Sequence, residues 1–190
     1  MVVLEIEYTY AGLAWETVND FADKIKRSCL TDPPSGVSVT IEEMTAGTTS
    51  FLYEGPSPTW SRLFLPDRCK WVDEVEVDHK RRRRVERGRN LTRAEDGLVV
   101  VLETSEWSQG PEIVNPRAVG GEAFGPSTKF HRRLEVSIKG VPDFVLRGLG
   151  IGRYTAVVAS ARQAEANLMR SEEQGGLLQD DDDDDDAKNS

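Results

Sequence analysis

The sequence is poor in the residue types that carry special chemistry. Its 190 residues include only two cysteines, Cys29 and Cys69, which are far apart and have no metal-binding motif around them. We therefore expect neither a disulfide framework nor a cysteine-ligated metal site. The two histidines, His79 and His131, lie in charged segments, without a neighbouring nucleophile or a metal-ligand spacing. The sequence thus predicts no catalytic residue, no metal and no cofactor, and a protein that is not an enzyme.

Long apolar runs are also missing. No stretch approaches the ~20 residues of a membrane-spanning helix, and the start, MVVLEIEYTY, lacks the basic segment of a cleavable secretory signal. The net charge is -9, but Asp180–Asp186 alone contribute seven acids. Without residues 180–190 the chain has 26 acidic and 23 basic residues, a net charge of -3. The charge balance therefore gives no indication of partners.

Hydrophobic residues recur with the periods of strands and of amphipathic helices. Residues 2–10 alternate as a half-buried strand does. The next segment places Trp15, Val18, Phe21 or Ala22, and Ile25 on one side of a helix of about three turns, which the prolines at 33 and 34 must end. Further strands are predicted at 37–43, 48–54, 71–78, 83–91 and 98–107.

The last strand and helix form the longest patterned stretch. Leu134, Val136 and Ile138 alternate with polar residues, a turn follows at Gly140, and a helical stripe runs from Tyr154 to Leu168. Strands joined by hairpins, with few helices, predict an α+β fold with an antiparallel sheet. We expect one domain over residues 1–172 and a disordered acidic tail over residues 173–190.

Two segments allow more than one functional interpretation. The proline-bracketed loop with Trp60, Leu63 and Phe64 can be a cover that packs on the core, or a mobile flap that enters a membrane. The arginine-rich hairpin at residues 80–93 can bind nucleic acid, dock on anionic lipid or form a solvated surface of paired charges. Flanking acids and the lack of interleaved aromatic residues count against nucleic acid.

The glycines at 148, 150 and 152 form a GxGxG pattern. A dinucleotide-binding loop requires GxGxxG between a strand and a helix. Because this segment already has a helical pattern, we interpret the glycines as a flexible or closely packed start of a helix.

Several segments, taken in order, resemble the PRELI-like (slowmo) family of phospholipid-transfer proteins. The helix opening at 14–18 is similar to the family's Pro-Trp-Glu-x-Val, with Ala in place of Pro. The other similar segments are Asp32-Pro33, the loop 57–65, Val75-Glu76-Val77-Asp78, Ile138-Lys139-Gly140-Val141 and Arg153-Tyr154. The chain departs from the family pattern at 52–54, at Gly36 and at Ser160, which leaves the lipid headgroup open.

The resemblance implies a curved antiparallel sheet wrapped by a long C-terminal helix around a lipid tunnel, related in shape to START-type carriers. It implies transfer of phosphatidic acid or another anionic phospholipid at an anionic membrane surface. It also implies the mitochondrial intermembrane space and a small twin-Cys-x9-Cys helical partner, and no nucleic acid. Arg153 is the predicted headgroup contact. The secondary headgroup candidates are Lys139, Lys24 and Lys26; the lid is Trp60, Leu63 and Phe64; the tunnel wall is Tyr154, Val157, Ala161 and Leu168.

Overall fold

In a computed structural model, the described residues are 1–45, 47–57, 66–114 and 124–177, with the backbone alone at 43–44, 149–156 and 171–177. No helix in these ranges is long and apolar enough to cross a membrane. The elements in chain order are β1 (Val2–Ala11), α1 (Trp15–Thr31), β2 (Ser38–Thr45), β3 (Thr48–Pro56), β4 (Arg68–Asp78), β5 (Arg83–Asn90), β6 (Val99–Gln109), β7 (Ile113–Val114), β8 (Phe124–Gly125), β9 (Ser127–Ile138) and α2 (Asp143–Leu177).

Seven strands form one curved sheet in the order β1-β9-β6-β5-β4-β3-β2. Every neighbouring pair in this sheet is antiparallel, and β7 pairs separately with β8. The predicted α+β class, with a curved antiparallel sheet and a long C-terminal helix, is confirmed. Hairpins join β2 to β3 and β4 to β5, so these neighbours in the sheet are also consecutive in the chain.

Both helices pack on the same face of the sheet, which we call the inner face. One apolar cluster joins α1 and the second half of α2 to Tyr10 of β1 and Phe130 of β9. A second cluster joins Leu146, near the start of α2, to Val99 and Ile138. Successive side chains of a strand alternate between the two faces. These contacts therefore show whether the odd-numbered or the even-numbered residues of each strand, which we call its parity, lie on the inner face. The opposite parity forms the outer face.

Helix α1 differs from its predicted pattern. It has 17 residues, longer than about three turns, and ends at Thr31, before the prolines. Trp15 and Val18 are buried as expected, but Ile25 is 48% exposed and Asn19 is buried. The apolar stripe fails in the second half of the helix because Lys26 faces the sheet there and pairs with carboxylates.

Helix α2 begins at Asp143, whose carboxylate lies 3.0 Å from the amino group of Met1. It is continuous through residues 148–152, so the glycine pattern lies within a helix, as we interpreted it, and forms no nucleotide-binding loop. The helix extends to Leu177, beyond the predicted domain boundary at residue 172, and residues 178–190 lie outside the described ranges.

Candidate binding site

A group of charged and polar side chains lies across the middle of the inner face, between the two apolar clusters. Its position follows from the strand register. Val75 is opposite Glu86, Glu86 is opposite Ser105, and Ser105 is opposite Arg132. We call this group the polar belt; it comprises Lys26 of α1 and, on the sheet, Asp73, Arg84, Glu86, Glu103, Ser105 and Arg132.

Lys26 ties α1 to the sheet. Its Nζ lies 2.6 Å from Asp73 Oδ2 and 3.2 Å from Glu86 Oε2, and the side chain is only 15% exposed. It also lies over the rings of Phe51 and Tyr53, at 5.9 and 5.5 Å from their centroids. Burial alone would lower the pKa of Lys26, but Glu86 and Asp73 outweigh it and raise the pKa. Lys26 is therefore a permanent cation that is matched by two carboxylates.

Arg84 is fully buried, with 0% of its surface exposed. Its Nε donates a hydrogen bond to Glu86 Oε1 at 2.8 Å. Its Nη1 donates to Asn19 Oδ1 at 3.2 Å and to Asp23 Oδ1. Since Asn19 and Asp23 belong to α1, this guanidinium is a second link between the helix and the sheet.

The belt continues toward β9 and toward Trp71. Arg132 donates to Glu103, in a pair that is 22% and 15% exposed. The indole of Trp71 donates to Asp73 Oδ1. This indole lies against Gly88, where an added Cβ would be 2.5 Å from Trp71 Cζ2 and 2.7 Å from Asp73 Oδ1. Only glycine at 88 leaves space for the indole and carboxylate in this arrangement.

A cleft of about 510 Å³ opens beside the belt, between the second half of α1 and the strands β2–β5. One part of its wall is apolar, with Leu30, Ile41, Phe51, Val75 and Val77. The other part is polar or charged, with Asp23, Lys26, Arg27, Thr45, Thr48, Thr49, His79 and Arg84. A volume of this size is within the range of small-molecule sites, and the wall offers both apolar surface and many polar groups to a ligand.

The belt is expensive in free energy, since charges taken out of water are stabilised only by good partners. Groups of buried charge beside a cleft are more common at functional sites than elsewhere. The cleft and the belt together are therefore the candidate site.

The predicted tunnel-wall residues lie away from this cleft. Ala161 and Leu168 are buried against Tyr10 and Phe130, and Val157 packs at the edge of the same cluster. The second half of α2 thus contributes to a packed core, and the tunnel stays a prediction. The side chain of Tyr154 is outside the described residues.

The predicted headgroup residues are scattered. Lys26 lines the cleft, whereas Lys24 is exposed on α1 and Lys139 is exposed in the turn after β9. The side chain of Arg153 and the predicted lid residues Trp60, Leu63 and Phe64 lie outside the described residues. Among the headgroup candidates whose side chains are described, the structure brings Lys26 alone to the cleft, and there its charge is already matched.

The arginine-rich hairpin has two different surfaces. Arg82, Arg83 and Arg87 form ion pairs with Glu16, Glu106 and Glu76, at 2.8, 2.8 and 3.0 Å. These contacts agree with the interpretation as a solvated surface of paired charges. Arg84 is the exception, because its parity places it on the inner face. The sequence singled out Arg84 and Glu86 only as members of the hairpin 80–93, and it did not select Asp73, Glu103 or Arg132 as site residues.

The fold is similar to that of several solved structures. The Zhui aromatase/cyclase of Streptomyces sp. R1128 has 14% sequence identity and a TM-score of 0.55, and the match covers 89% of this chain and 95% of that one. The protein TTHA0849 of Thermus thermophilus has 16% identity and a TM-score of 0.50, over 90% of this chain and 99% of that chain.

A third similar structure is the di-domain aromatase/cyclase BexL of the BE-7585A biosynthetic pathway. It has 15% identity and a TM-score of 0.51, over 87% of this chain and 48% of that one. No protein-family model matches the chain, and neither does any curated protein sequence. At these identities the likeness establishes the fold alone, which is the helix-grip arrangement of a curved sheet around a long C-terminal helix.

Proposed function

We propose that this protein is a non-enzymatic carrier that holds an amphiphilic ligand in the cleft between α1 and the sheet. The observation that carries the proposal is that the cleft wall combines apolar and charged side chains. Phe51, Val75 and Val77 offer an apolar surface, and the polar belt begins at Lys26 and Arg84. An apolar wall removes a hydrocarbon chain from water, and polar groups at one end fix its orientation.

The cleft also has an exposed apolar entrance residue. Ile41, on the edge strand β2, is 43% exposed and lines the cleft. A bound hydrocarbon chain would cover this apolar surface and remove it from water. We therefore expect a ligand to enter and leave on this side of the cleft, at the edge of the sheet.

The experiment that tests the proposal is recovery of a ligand and its transfer. Lipid extraction or native mass spectrometry of the purified protein should show a bound amphiphile, and the protein should move labelled lipid between liposomes. Thr49 lines the cleft, so Thr49→Trp should reduce transfer about tenfold by filling it. Thr40, exposed on the outer face of β2, gives the matched control Thr40→Trp, which should transfer normally.

Two outcomes would overturn the proposal. One is a folded protein that contains no ligand and moves no lipid. The other is equal transfer by the Thr49→Trp and wild-type proteins, which would place the ligand elsewhere.

Finer assignments rest on the resemblance to PRELI-like proteins and are proposals with it. They are the phosphatidic acid or other anionic phospholipid, the intermembrane space, the membrane surface and the twin-Cys-x9-Cys partner. The liposome assay separates headgroups directly when phosphatidic acid and phosphatidylcholine are compared as cargo. The similar structures described as aromatase/cyclases make an activity assay on any ligand that is recovered the natural companion experiment.

A further inference from the structure

Among the described residues, two buried side-chain donors have no hydrogen-bond acceptor, Trp15 Nε1 and Arg84 Nη2. Of these two residues, Arg84 lines the cleft. Its Nη2 forms an ion pair with Glu86 Oε1 at 2.8 Å, but the hydrogen bond of suitable geometry to that oxygen comes from Nε, and the N–H groups of Nη2 have no acceptor. A buried donor without an acceptor is costly, and such groups in native proteins usually have a ligand or water as partner.

The charge around Arg84 is already matched. Glu86 and Asp23 both pair with its guanidinium, and Lys26 pairs with Glu86 and with Asp73. Two cations thus pair with three carboxylates in this part of the site, and Arg27 adds a third cation to the cleft wall. An added anion would find Lys26 and Arg84 already paired with carboxylates, and it would lose its own hydration in a poorly solvated place.

We propose that the cleft recognises a ligand whose polar end is an uncharged hydrogen-bond acceptor, such as a ketone or ester carbonyl, and that Arg84 Nη2 donates to it. This inference rests on the proposed function, and it defines the ligand class. It gives Arg84 Nη2 an acceptor and adds no charge to a group in which three cations and three carboxylates already balance.

Three probes of similar chain length test the inference: methyl dodecanoate, dodecanoate and tridecane. The three differ chiefly in the polar end, which is a neutral acceptor, an anion or absent. Binding to the wild-type protein is measured by chemical-shift changes in the amide spectrum, which also reports that the protein is folded. We expect methyl dodecanoate to bind about tenfold more tightly than tridecane, because it alone satisfies the donor without a charge. Dodecanoate should bind more weakly than the ester.

A conservative variant assigns the effect to Arg84. Arg84→Lys keeps the charge but removes Nη2, so the preference for the ester over tridecane should fall to less than about threefold. Arg87→Lys is the matched control, because Arg87 is paired with Glu76 on the outer face; it should keep the full preference. If Arg84→Lys does not fold, the order in which the wild-type protein binds the three probes still tests the inference.

Each other outcome has a distinct meaning. Equal binding of tridecane and the ester would overturn the inference, since Nη2 would then contribute nothing. Tightest binding of dodecanoate would overturn it in favour of an anionic ligand, while the carrier proposal would stand. If none of the three probes binds the folded protein, the cleft is not an amphiphile site, and the proposed function fails together with the inference.

Discussion

The two faces of the sheet use the same residue types in different surroundings. On the outer face, Arg83–Glu106 and Arg87–Glu76 pair with 32–49% of their side chains exposed. On the inner face, Arg84 is 0% and Glu86 15% exposed in their pair. An exposed pair is worth little because water solvates each partner nearly as well. A buried pair cannot lose one partner without leaving a charge in a poorly solvated place.

This difference distinguishes the exposed ion pairs of the outer face from the buried charges of the candidate site. The outer pairs lie at the solvent-exposed surface of the sheet, where the loss of one pair costs little. The inner charges hold α1 to the sheet beside the cleft, so a change in them affects stability and the site at once. The following predictions run from the largest expected effect to the smallest.

The largest effect is expected for Arg84→Met. Its loss leaves Glu86 and Asp23 without this partner, which should lower the free energy of unfolding by about 3–5 kcal/mol, measured by urea denaturation. In the double variant Arg84→Met/Glu86→Gln a buried carboxylate is removed as well, so part of the loss should be recovered. A loss below about 1 kcal/mol would show that the inner and outer pairs are equivalent.

Gly88→Ala should have the next largest effect. The new methyl group would be 2.5 Å from Trp71 Cζ2, so the indole and Asp73 must move. We expect a loss of about 1–3 kcal/mol in the free energy of unfolding, as for overpacked cores, with a changed tryptophan fluorescence. The control is Gly148→Ala in α2, where a Cβ meets nothing within 4 Å; alanine there should stabilise by up to about 1 kcal/mol.

A pH effect is expected for Tyr10, which is 5% exposed on the inner face. Burial raises its pKa to about 12 from 10.0. Because the folded state favours the neutral phenol, its contribution to stability is complete below pH 10 and is lost as the pH rises toward 12. Tyr10→Phe should therefore reduce the fall of the free energy of unfolding between pH 10 and 12. An unchanged alkaline profile would contradict the assignment.

The smallest effect is expected for Arg83→Ala on the outer face. Its hydrogen bond to Glu106 lowers the pKa of that carboxyl below 4.5. The pair's contribution is therefore present above pH 4.5 and is lost as the pH falls through the lowered pKa. At pH 7 we expect a loss of about 0.2–1 kcal/mol that decreases with added salt. A loss comparable to that of Arg84→Met would remove the distinction between the faces.

Part of the candidate site was within reach of the sequence. The alternation of β4 predicts Val75 and Val77 on the inner face, and both line the cleft. Asp73 lies on the same side of this strand as Val75 and Val77, so the sequence already indicated an acidic residue on the inner face. Arg84 gave no such signal, because each residue of the run 81–84 is arginine and the turn before β5 decides which of them faces inward. The pair Arg132–Glu103 joins strands that are far apart in the chain.

The apolar stripe of α1 shows the same limit of prediction from the sequence. Periodicity placed Ile25 on the apolar face, but Lys26 contacts the sheet because Asp73 and Glu86 stand opposite. A helical pattern reports which residues prefer to leave water, and not which polar residue has a partner across the interface.

The sequence by itself determined the α+β class, the antiparallel order of hairpins and the long C-terminal helix, because local periodicity and turn residues encode them. Only the tertiary structure decided that charges as well as hydrocarbon lie on the inner face. Whether a charged side chain is solvated or buried depends on the strand register and on the helix packed above it. Strand register and helix packing bring together residues that are distant in the chain, such as Lys26, Asp73 and Glu86. A local sequence pattern contains no information about such contacts.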